Sequence, residues 1–200
     1  MELIFIRHFP TEGNYRRQYI GRTDEPVSMR FINDFQKTEK KEMPAAEYVI
    51  ISPMKRCAQT AKLLYPDVKP VVCEKMRECD FGLFEGKTYE ELKDNPYYQK
   101  WLECGGESPF PEGESKAVFQ KRCVKGMREV IDFLIESRCK RAAIIVHGGT
   151  IMAVLSTFDE EKRDYYSFQV TNGDGYKVTV DENEWLQGKY SFSHIGKLKG

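Results

Sequence analysis

Two histidines occupy positions in this 200-residue chain where catalytic side chains are often found. His8 follows the apolar run at residues 3–6, and His147 follows the apolar run at residues 142–146. A loop follows each histidine. Ligands bind at the carboxyl ends of strands in a parallel sheet, so we expect both imidazoles to face one crevice.

Two arginines are predicted to join these histidines. Arg7 directly precedes His8, and Arg56 lies in the first turn of a helix that Ser52 and Pro53 are expected to begin. Free backbone N–H groups and the helix dipole favour an anion there. Two guanidinium groups, each with several N–H donors, and two imidazoles are suited to binding a tetrahedral, doubly charged phosphoryl group. Taken singly, each residue has a simpler interpretation, as a strand-end histidine that only hydrogen-bonds or a solvated arginine.

The elements that position these residues follow from hydrophobic patterning. Short apolar runs at residues 3–6, 48–51 and 142–146 alternate with longer helical patterns, which is typical of an α/β protein with a largely parallel sheet. A long amphipathic helix is predicted from Ser115, with an apolar face at Phe119, Cys123, Met127, Val130, Ile131 and Leu134. The length favours one domain spanning residues 1–200.

Two further regions carry local signals. Residues 76–111 have weak periodicity, and Thr88 and Glu91 have capping-box spacing, so this segment is predicted to be a small helical lid. Asn-Gly-Asp-Gly at 172–175 predicts a hairpin turn between strands at 165–171 and 176–180. A further edge strand at 190–195 would contain His194.

Composition limits the partners and the compartment. Lys and Arg total 31 and so do Asp and Glu, so no global field attracts nucleic acid or an anionic membrane, and anion recognition must be local. The six cysteines lack a C-x-x-C pair, and no His/Asp pair has metal-ligand spacing, so we expect reduced thiols, no metal and no cofactor. The N-terminus does not resemble a signal peptide, and no apolar run approaches about 20 residues, so we expect a cytoplasmic protein.

Five segments resemble, in order, the motifs of the histidine phosphatase superfamily, the phosphoglycerate mutase-like group. They are residues 7–14 (RHFPTEGN), 52–61 (SPMKRCAQTA), 77–86 (RECDFGLFEG), 111–115 (PEGES) with Arg122, and 146–150 (VHGGT). Residues 19–24 (YIGRTD) and 84–92 (FEGKTYEEL) are most similar to the bacterial α-ribazole phosphatase-like branch. The resemblance implies a three-layer α/β/α fold with a mostly parallel central sheet.

The resemblance also implies an activity, that of a phosphomonoesterase acting on a small phosphorylated metabolite. It makes His8 the nucleophile that forms a phosphohistidine and Glu78 the proton donor, with Arg7, Arg56 and His147 holding the phosphoryl oxygens. Asn14, Gly21 and Gly148 are then substrate-binding residues. Without the resemblance, Glu78 would be interpreted as half of an exposed ion pair with Arg77.

Several alternatives stay open at this point. Phe9 replaces the glycine of the first motif, and a side chain there is expected to reshape the pocket or the loop. A phosphoglycerate mutase-type phosphotransferase and an inactive phosphate-binding regulatory module are the alternative functions. Arg16, Arg17 and Arg22 suit either a second anionic substrate group or a solvated loop. Several aromatic residues suit either stacking on a heterocycle or simple packing, namely Tyr15, Tyr19, Phe81, Tyr97, Tyr98 and Trp101.

Overall fold

The central element is a six-stranded sheet, seen in a computed structural model that describes residues 1–37 and 43–198. The strands are β1 (Glu2–Arg7), β2 (Tyr48–Ile51), β3 (Val71–Val72), β4 (Arg141–Val146), β5 (Gly175–Thr179) and β6 (Ser193–Lys197). Their order is β3-β2-β4-β1-β5-β6. The first four are parallel, and β5 and β6 add an antiparallel edge. The predicted α/β class with a mostly parallel sheet is confirmed.

The register of β1 and β4 brings the two histidines together. The two strands are parallel neighbours, and Arg7 pairs with Val146 at the end of the ladder. His8 and His147 are the next residue on each strand, and the His8 amide donates to the Val146 carbonyl at 2.9 Å. The sheet alone therefore fixes the relative position of both imidazoles.

Helices cover both faces of the sheet. They are α1 (Glu12–Tyr15), α2 (Met29–Lys37), α3 (Lys55–Leu64), α4 (Tyr89–Leu92), α5 (Pro96–Glu103), α6 (Lys116–Glu136), α7 (Gly148–Phe158) and α8 (Glu182–Leu186). Among the described residues, no helix is long and apolar enough to cross a membrane.

Alternate residues of the strands pack on opposite layers. On β1, Ile4 and Ile6 belong to the apolar cluster that includes residues of α3, whereas Leu3 and Phe5 belong to the cluster that includes residues of α6 and α7. All four side chains are fully buried, and burial of such a side chain contributes about 1.5–3 kcal/mol. All six apolar positions predicted for α6 are buried as well.

The segment 76–111 contains a 3-10 turn at Gly82–Phe84 followed by α4 and α5. Thr88 and Glu91 form the predicted capping box. The Asn95 side chain caps α5, with Pro96 at its first position. Tyr98 of α5 is buried and packs edge-on against Phe84, which ties the helix to the turn.

The hairpin predicted around residues 172–175 is wrong. Residues Tyr165–Phe168 form a 3-10 helix instead of a strand. The strand that follows, β5, is antiparallel to β1 on one side and to β6 on the other. Both hydrogen-bonding edges of β5 are therefore occupied, and none remains for residues 165–171.

The side chain of Phe9 belongs to a cluster of aromatic rings. Its ring lies 4.6 Å from that of Phe31 and 5.0 Å from that of Phe35, both on α2, measured between ring centroids. The Phe9 amide donates to the Thr60 hydroxyl of α3 at 2.9 Å. Phe9 thus anchors α2 next to the end of β1, where the first motif has glycine.

We expect Phe9→Ala to lower the free energy of unfolding by about 3–5 kcal/mol, because Phe9 is only 4% exposed and its removal leaves a cavity under α2. Urea denaturation of both proteins measures the difference. Phe133→Ala is the control, since Phe133 is 39% exposed and should lose much less. Equal losses in the two variants would contradict the anchoring role of Phe9.

Candidate active site

The ring of His8 is buried, and one of its two nitrogens is hydrogen-bonded to the backbone. Its Nδ1 lies 2.7 Å from the Phe9 carbonyl oxygen, which can only accept, so Nδ1 carries the proton. The lone pair of the neutral ring is therefore on Nε2. Burial and the nearby positive charges of Arg56 and Arg7 lower the pKa of His8 well below its usual 6.5. Near neutral pH the ring is uncharged, as a nucleophile must be.

His147 lies next to His8, with ring centroids 5.1 Å apart in an edge-on arrangement. The Nε of Arg56 donates to its Nδ1 at 3.2 Å. The proton of the neutral ring is then on Nε2, which is 2.7 Å from the Ser52 hydroxyl oxygen. Burial, Arg56 and His8 lower the pKa of His147 well below 6.5. Both of its ring nitrogens contact protein groups in this arrangement, so a direct bond to a phosphoryl oxygen stays a prediction.

Ser52 has a different role from the one predicted for it. Helix α3 begins at Lys55, with Met54 in the N-cap position and no side-chain cap. The hydroxyl of Ser52 instead contacts His147, across the sheet from β2 to β4. The serine that predicts a helix cap in the sequence therefore hydrogen-bonds a histidine of the site instead.

Arg56 is fully buried in the first turn of α3. Its NH1 donates to the Thr23 carbonyl at 2.8 Å and its NH2 to the Gly21 carbonyl at 2.9 Å. A Cβ on Gly21 would lie 1.8 Å from the Cys79 carbonyl oxygen, so only glycine lets the two loops approach. Gly21 thus orients Arg56 through its backbone.

Arg7 lies against the N-terminus of α7. Its NH1 donates to the Val170 carbonyl at 2.8 Å, while its buried Nε has no hydrogen-bond partner among the described residues. A Cβ built on Gly148 would lie 3.3 Å from that Nε. Within residues 1–37 and 43–198, neither Arg7 nor Arg56 forms an ion pair with a carboxylate. One buried and one partly buried cation beside a helix N-terminus are suited to binding an anion.

Glu78 faces the same helix N-terminus. Its Oε2 accepts from the Gly149 amide at 3.2 Å, and its Oε1 accepts from the Cys79 amide at 3.0 Å. Burial raises the pKa of this carboxyl above its usual 4.5, against the opposing effects of these amides and of Arg56 and Arg7. A raised pKa keeps the acid protonated to higher pH, as a proton donor requires.

Two cavities meet at Glu78. A cleft of about 640 Å³ is lined by Arg7, Glu78, Gly148 and Gly149, and extends to Asp174 and Lys197. A second cavity, of about 240 Å³, is mostly aromatic. It shares Glu78, Gly149 and Met152 with the first and is lined by Tyr19, Phe81, Trp101, Phe110, Phe119, Tyr165 and Tyr166.

Asn14 lies behind the nucleophile. Its Oδ1 accepts from the Asn172 side-chain amide at 3.2 Å, and that same amide nitrogen donates to the His8 carbonyl at 2.9 Å. Asn14 also completes the capping box of α1 with Thr11. Asn172 was not predicted as a site residue. Its Asn-Gly pair suggested a hairpin turn, although an asparagine side chain can equally hold a loop.

The residues with open interpretations lie as follows. Arg16 and Arg17 are exposed, and Arg22 pairs with Asp80 at 3.5 Å. His194 is exposed on β6. The six cysteines are free thiols, and burial raises the pKa of Cys57 to about 12. In the part of the chain that the structure describes, no group of three or more His, Cys, Asp or Glu residues is placed to hold a metal ion.

The structure thus brings together a strand-end histidine, a second histidine after the neighbouring parallel strand and two arginines. A family model of the histidine phosphatase superfamily (branch 1) matches residues 3–191. The chain belongs to this superfamily.

Individual members of the family are similar to the chain over nearly its whole length. A probable phosphoglycerate mutase of Yersinia enterocolitica is 25% identical over 209 residues, covering 98% of this chain and 93% of the relative. The α-ribazole phosphatase of Shigella flexneri has a similar structure, with a TM-score of 0.74, 19% identity, and coverage of 98% and 95% of the two chains. The phosphoserine phosphatase of Entamoeba histolytica, solved with 3-phosphoglyceric acid, has a TM-score of 0.71, 22% identity and coverage of 97% and 95%.

We expect Arg7→Met and Arg56→Met each to weaken the binding of inorganic phosphate by about 10- to 100-fold, because each removes charge-assisted hydrogen bonds from a buried anion site. Isothermal titration calorimetry with phosphate measures the dissociation constants. Arg163→Met is the control, because Arg163 pairs with Asp159 at the opposite end of α7. Unchanged phosphate affinity in both site variants would disprove the anion site.

Proposed function

We propose that this protein is a phosphomonoesterase that hydrolyses a small phosphorylated metabolite through a phosphohistidine on His8. The observation that carries the proposal is the state of His8. Its Nδ1 proton is held by the Phe9 carbonyl, so the Nε2 lone pair is free of that bond and lies near the guanidiniums of buried Arg56 and partly buried Arg7, which form no ion pair with a carboxylate among the described residues. The names of the three related proteins given above support the substrate class, since each refers to a small phosphorylated compound.

In the first chemical step, Nε2 of His8 forms a bond to phosphorus and the ester P–O bond breaks. Glu78 gives its proton to the departing alcohol oxygen. Charge in the loose transition state lies on the equatorial oxygens, where Arg7, Arg56, His147 and the N-terminus of α7 stabilise it. These cations supply positive charge that Mg²⁺ supplies in many phosphoryl-transfer sites, and we propose that this enzyme works without a metal.

In the second step, the Glu78 carboxylate takes a proton from a water molecule whose oxygen attacks phosphorus. The P–N bond breaks, phosphate leaves, and His8 and Glu78 return to their starting protonation states. One residue thus acts as acid and then as base, which its position on both cavities supports. We propose that residues 1–200 form one domain in which the segment 76–111 is a lid beside the leaving group.

We expect His8→Ala to abolish the hydrolysis of p-nitrophenyl phosphate, and rapid alkaline quenching of wild-type protein to trap phosphate on His8. The variant lacks the Nε2 lone pair that attacks phosphorus in the proposed first step. His194→Ala is the matched control, since it removes an exposed imidazole on β6. Turnover independent of His8 would refute the proposal, and product analysis with phosphoglycerates distinguishes hydrolysis from transfer by a mutase.

We expect Glu78→Gln to lower kcat/KM for alkyl phosphates by about 10² to 10⁴, because a poor leaving group needs its proton. The kcat/KM for p-nitrophenyl phosphate should change little, because nitrophenolate leaves without protonation and kcat/KM does not include the later hydrolysis of the phosphohistidine. Steady-state kinetics with both substrates provides the comparison. Equal losses on the two substrates would remove the acid role of Glu78.

We expect a bell-shaped pH profile for alkyl phosphates, with a falling limb above the usual carboxyl pKa of 4.5. The rate rises as pH rises through the pKa of His8, which lies well below 6.5, because only the neutral ring attacks. It falls as pH rises through the raised pKa of Glu78, because the acid is lost. Profiles of kcat/KM against pH measure both limbs. Ionisation of the substrate affects wild type and Glu78→Gln equally, so a difference between their falling limbs reports on Glu78. A falling limb that is identical in the two would contradict this assignment.

A further inference from the structure

Glu78 lies in a stretch of irregular backbone. Residues 77–81 run between the 3-10 segments Glu74–Met76 and Gly82–Phe84 without helix or strand hydrogen bonds. The other principal groups of the site differ, since His8, His147 and Arg56 are fixed by strand ends or a helix. Something other than secondary structure must hold the proton donor in place.

The guanidinium of Arg122, on α6, contacts the backbone of this stretch. Its NH1 donates to the carbonyls of Lys75 at 2.9 Å and Arg77 at 3.0 Å, and its NH2 donates to the carbonyl of Glu78 at 3.3 Å. The Arg122 guanidinium thus binds three backbone carbonyls, two that precede the Cα of Glu78 and one that follows it. A lysine has no planar fork and cannot reproduce this set.

Glu114 completes the arrangement from the other side. Its carboxylate accepts from Arg122 Nε at 2.9 Å and NH2 at 2.6 Å. Its Oε2 also accepts from the Asp80 amide at 3.1 Å, and its own amide donates to the Asp80 carbonyl at 2.9 Å. With these bonds, all five N–H donors of Arg122 are used. The pair is three-quarters buried, with 26% and 20% of the two side chains exposed.

We propose that Arg122 and Glu114 are positioning residues for acid catalysis, an inference that rests on the proposed function of Glu78. They touch neither the nucleophile nor the phosphate cleft. Instead they fix the backbone from residue 75 to residue 80, so that the Glu78 carboxyl stays against the Gly149 amide in a buried setting. Their contribution is confined to the two proton transfers made by Glu78, and kcat/KM reports the first of these, in which the leaving group takes a proton.

The test compares Arg122→Met, Arg122→Lys and Glu114→Gln with wild type on an alkyl phosphate and on p-nitrophenyl phosphate. Arg122→Met should lower kcat/KM for the alkyl ester by about 10²-fold more than for the aryl ester, since a small misplacement of a catalytic group has that effect. The falling limb of its pH profile should move to lower pH as Glu78 becomes solvated. Glu114→Gln keeps the shape of the side chain and should show the same selectivity to a smaller degree, and Arg122→Lys should recover little.

Two further comparisons make the result decisive. In the Glu78→Gln background, Arg122→Met should cause almost no additional loss on the alkyl ester, because residues that act through one group are not additive. Arg163→Met removes the other bidentate arginine pair, whose Nε and NH2 lie 2.8 and 2.9 Å from the Asp159 carboxylate. That control should affect both substrates equally.

Equal losses on both substrates in the Arg122 and Glu114 variants, or full additivity with Glu78→Gln, would overturn the positioning role. If Arg122→Met does not fold by circular dichroism and thermal melting, Glu114→Gln and Arg122→Lys decide by the same criteria. Failure of the proposed function has a different signature, because Glu78→Gln itself would then show no selectivity between the two esters.

Discussion

The site depends on enclosing positive charge that no carboxylate neutralises by an ion pair among the described residues. Arg56 is fully buried and Arg7 partly buried, and backbone carbonyls of Gly21, Thr23 and Val170 are their main acceptors. Carbonyl dipoles lower the cost of desolvation without neutralising the cations. Burial and the remaining positive field lower the pKa of both imidazoles. In the proposed function the same field attracts an oxyanion, so one electrostatic arrangement would both prepare the nucleophile and bind its target.

The topology of the sheet makes this arrangement possible. Strands β1 and β4 are remote in sequence but adjacent and parallel, so their ends deliver two histidines and one arginine to the same edge. Helices α3 and α7 begin at that edge, with Arg56 in the first turn of one and glycines in the first turn of the other. The apolar residues of the strands, which are unrelated to chemistry, thus determine where the chemistry occurs.

Sequence patterns predicted the parts of the site that follow regular structure. His8, His147 and Arg56 were found because apolar runs and a helix start mark strand and helix ends. Glu78 was found only by resemblance, since irregular backbone leaves no periodic signal. The turn at 172–175 was assigned to a hairpin because pairing of β5 with β1 depends on contacts distant in sequence. Ser52 was misassigned because a hydroxyl before a helix suits a cap and a buried contact equally well.

The aromatic cavity has a consequence for how this fold diversifies. About half of its wall comes from the irregular and short helical segments of residues 76–111, whereas His8 and His147 directly follow two adjacent parallel strands. If the proposed function holds, substitutions or insertions in that half of the wall would alter which alcohol fits without moving the strand ends that carry the two histidines. Chemistry and selectivity would then be partly separable traits of this fold.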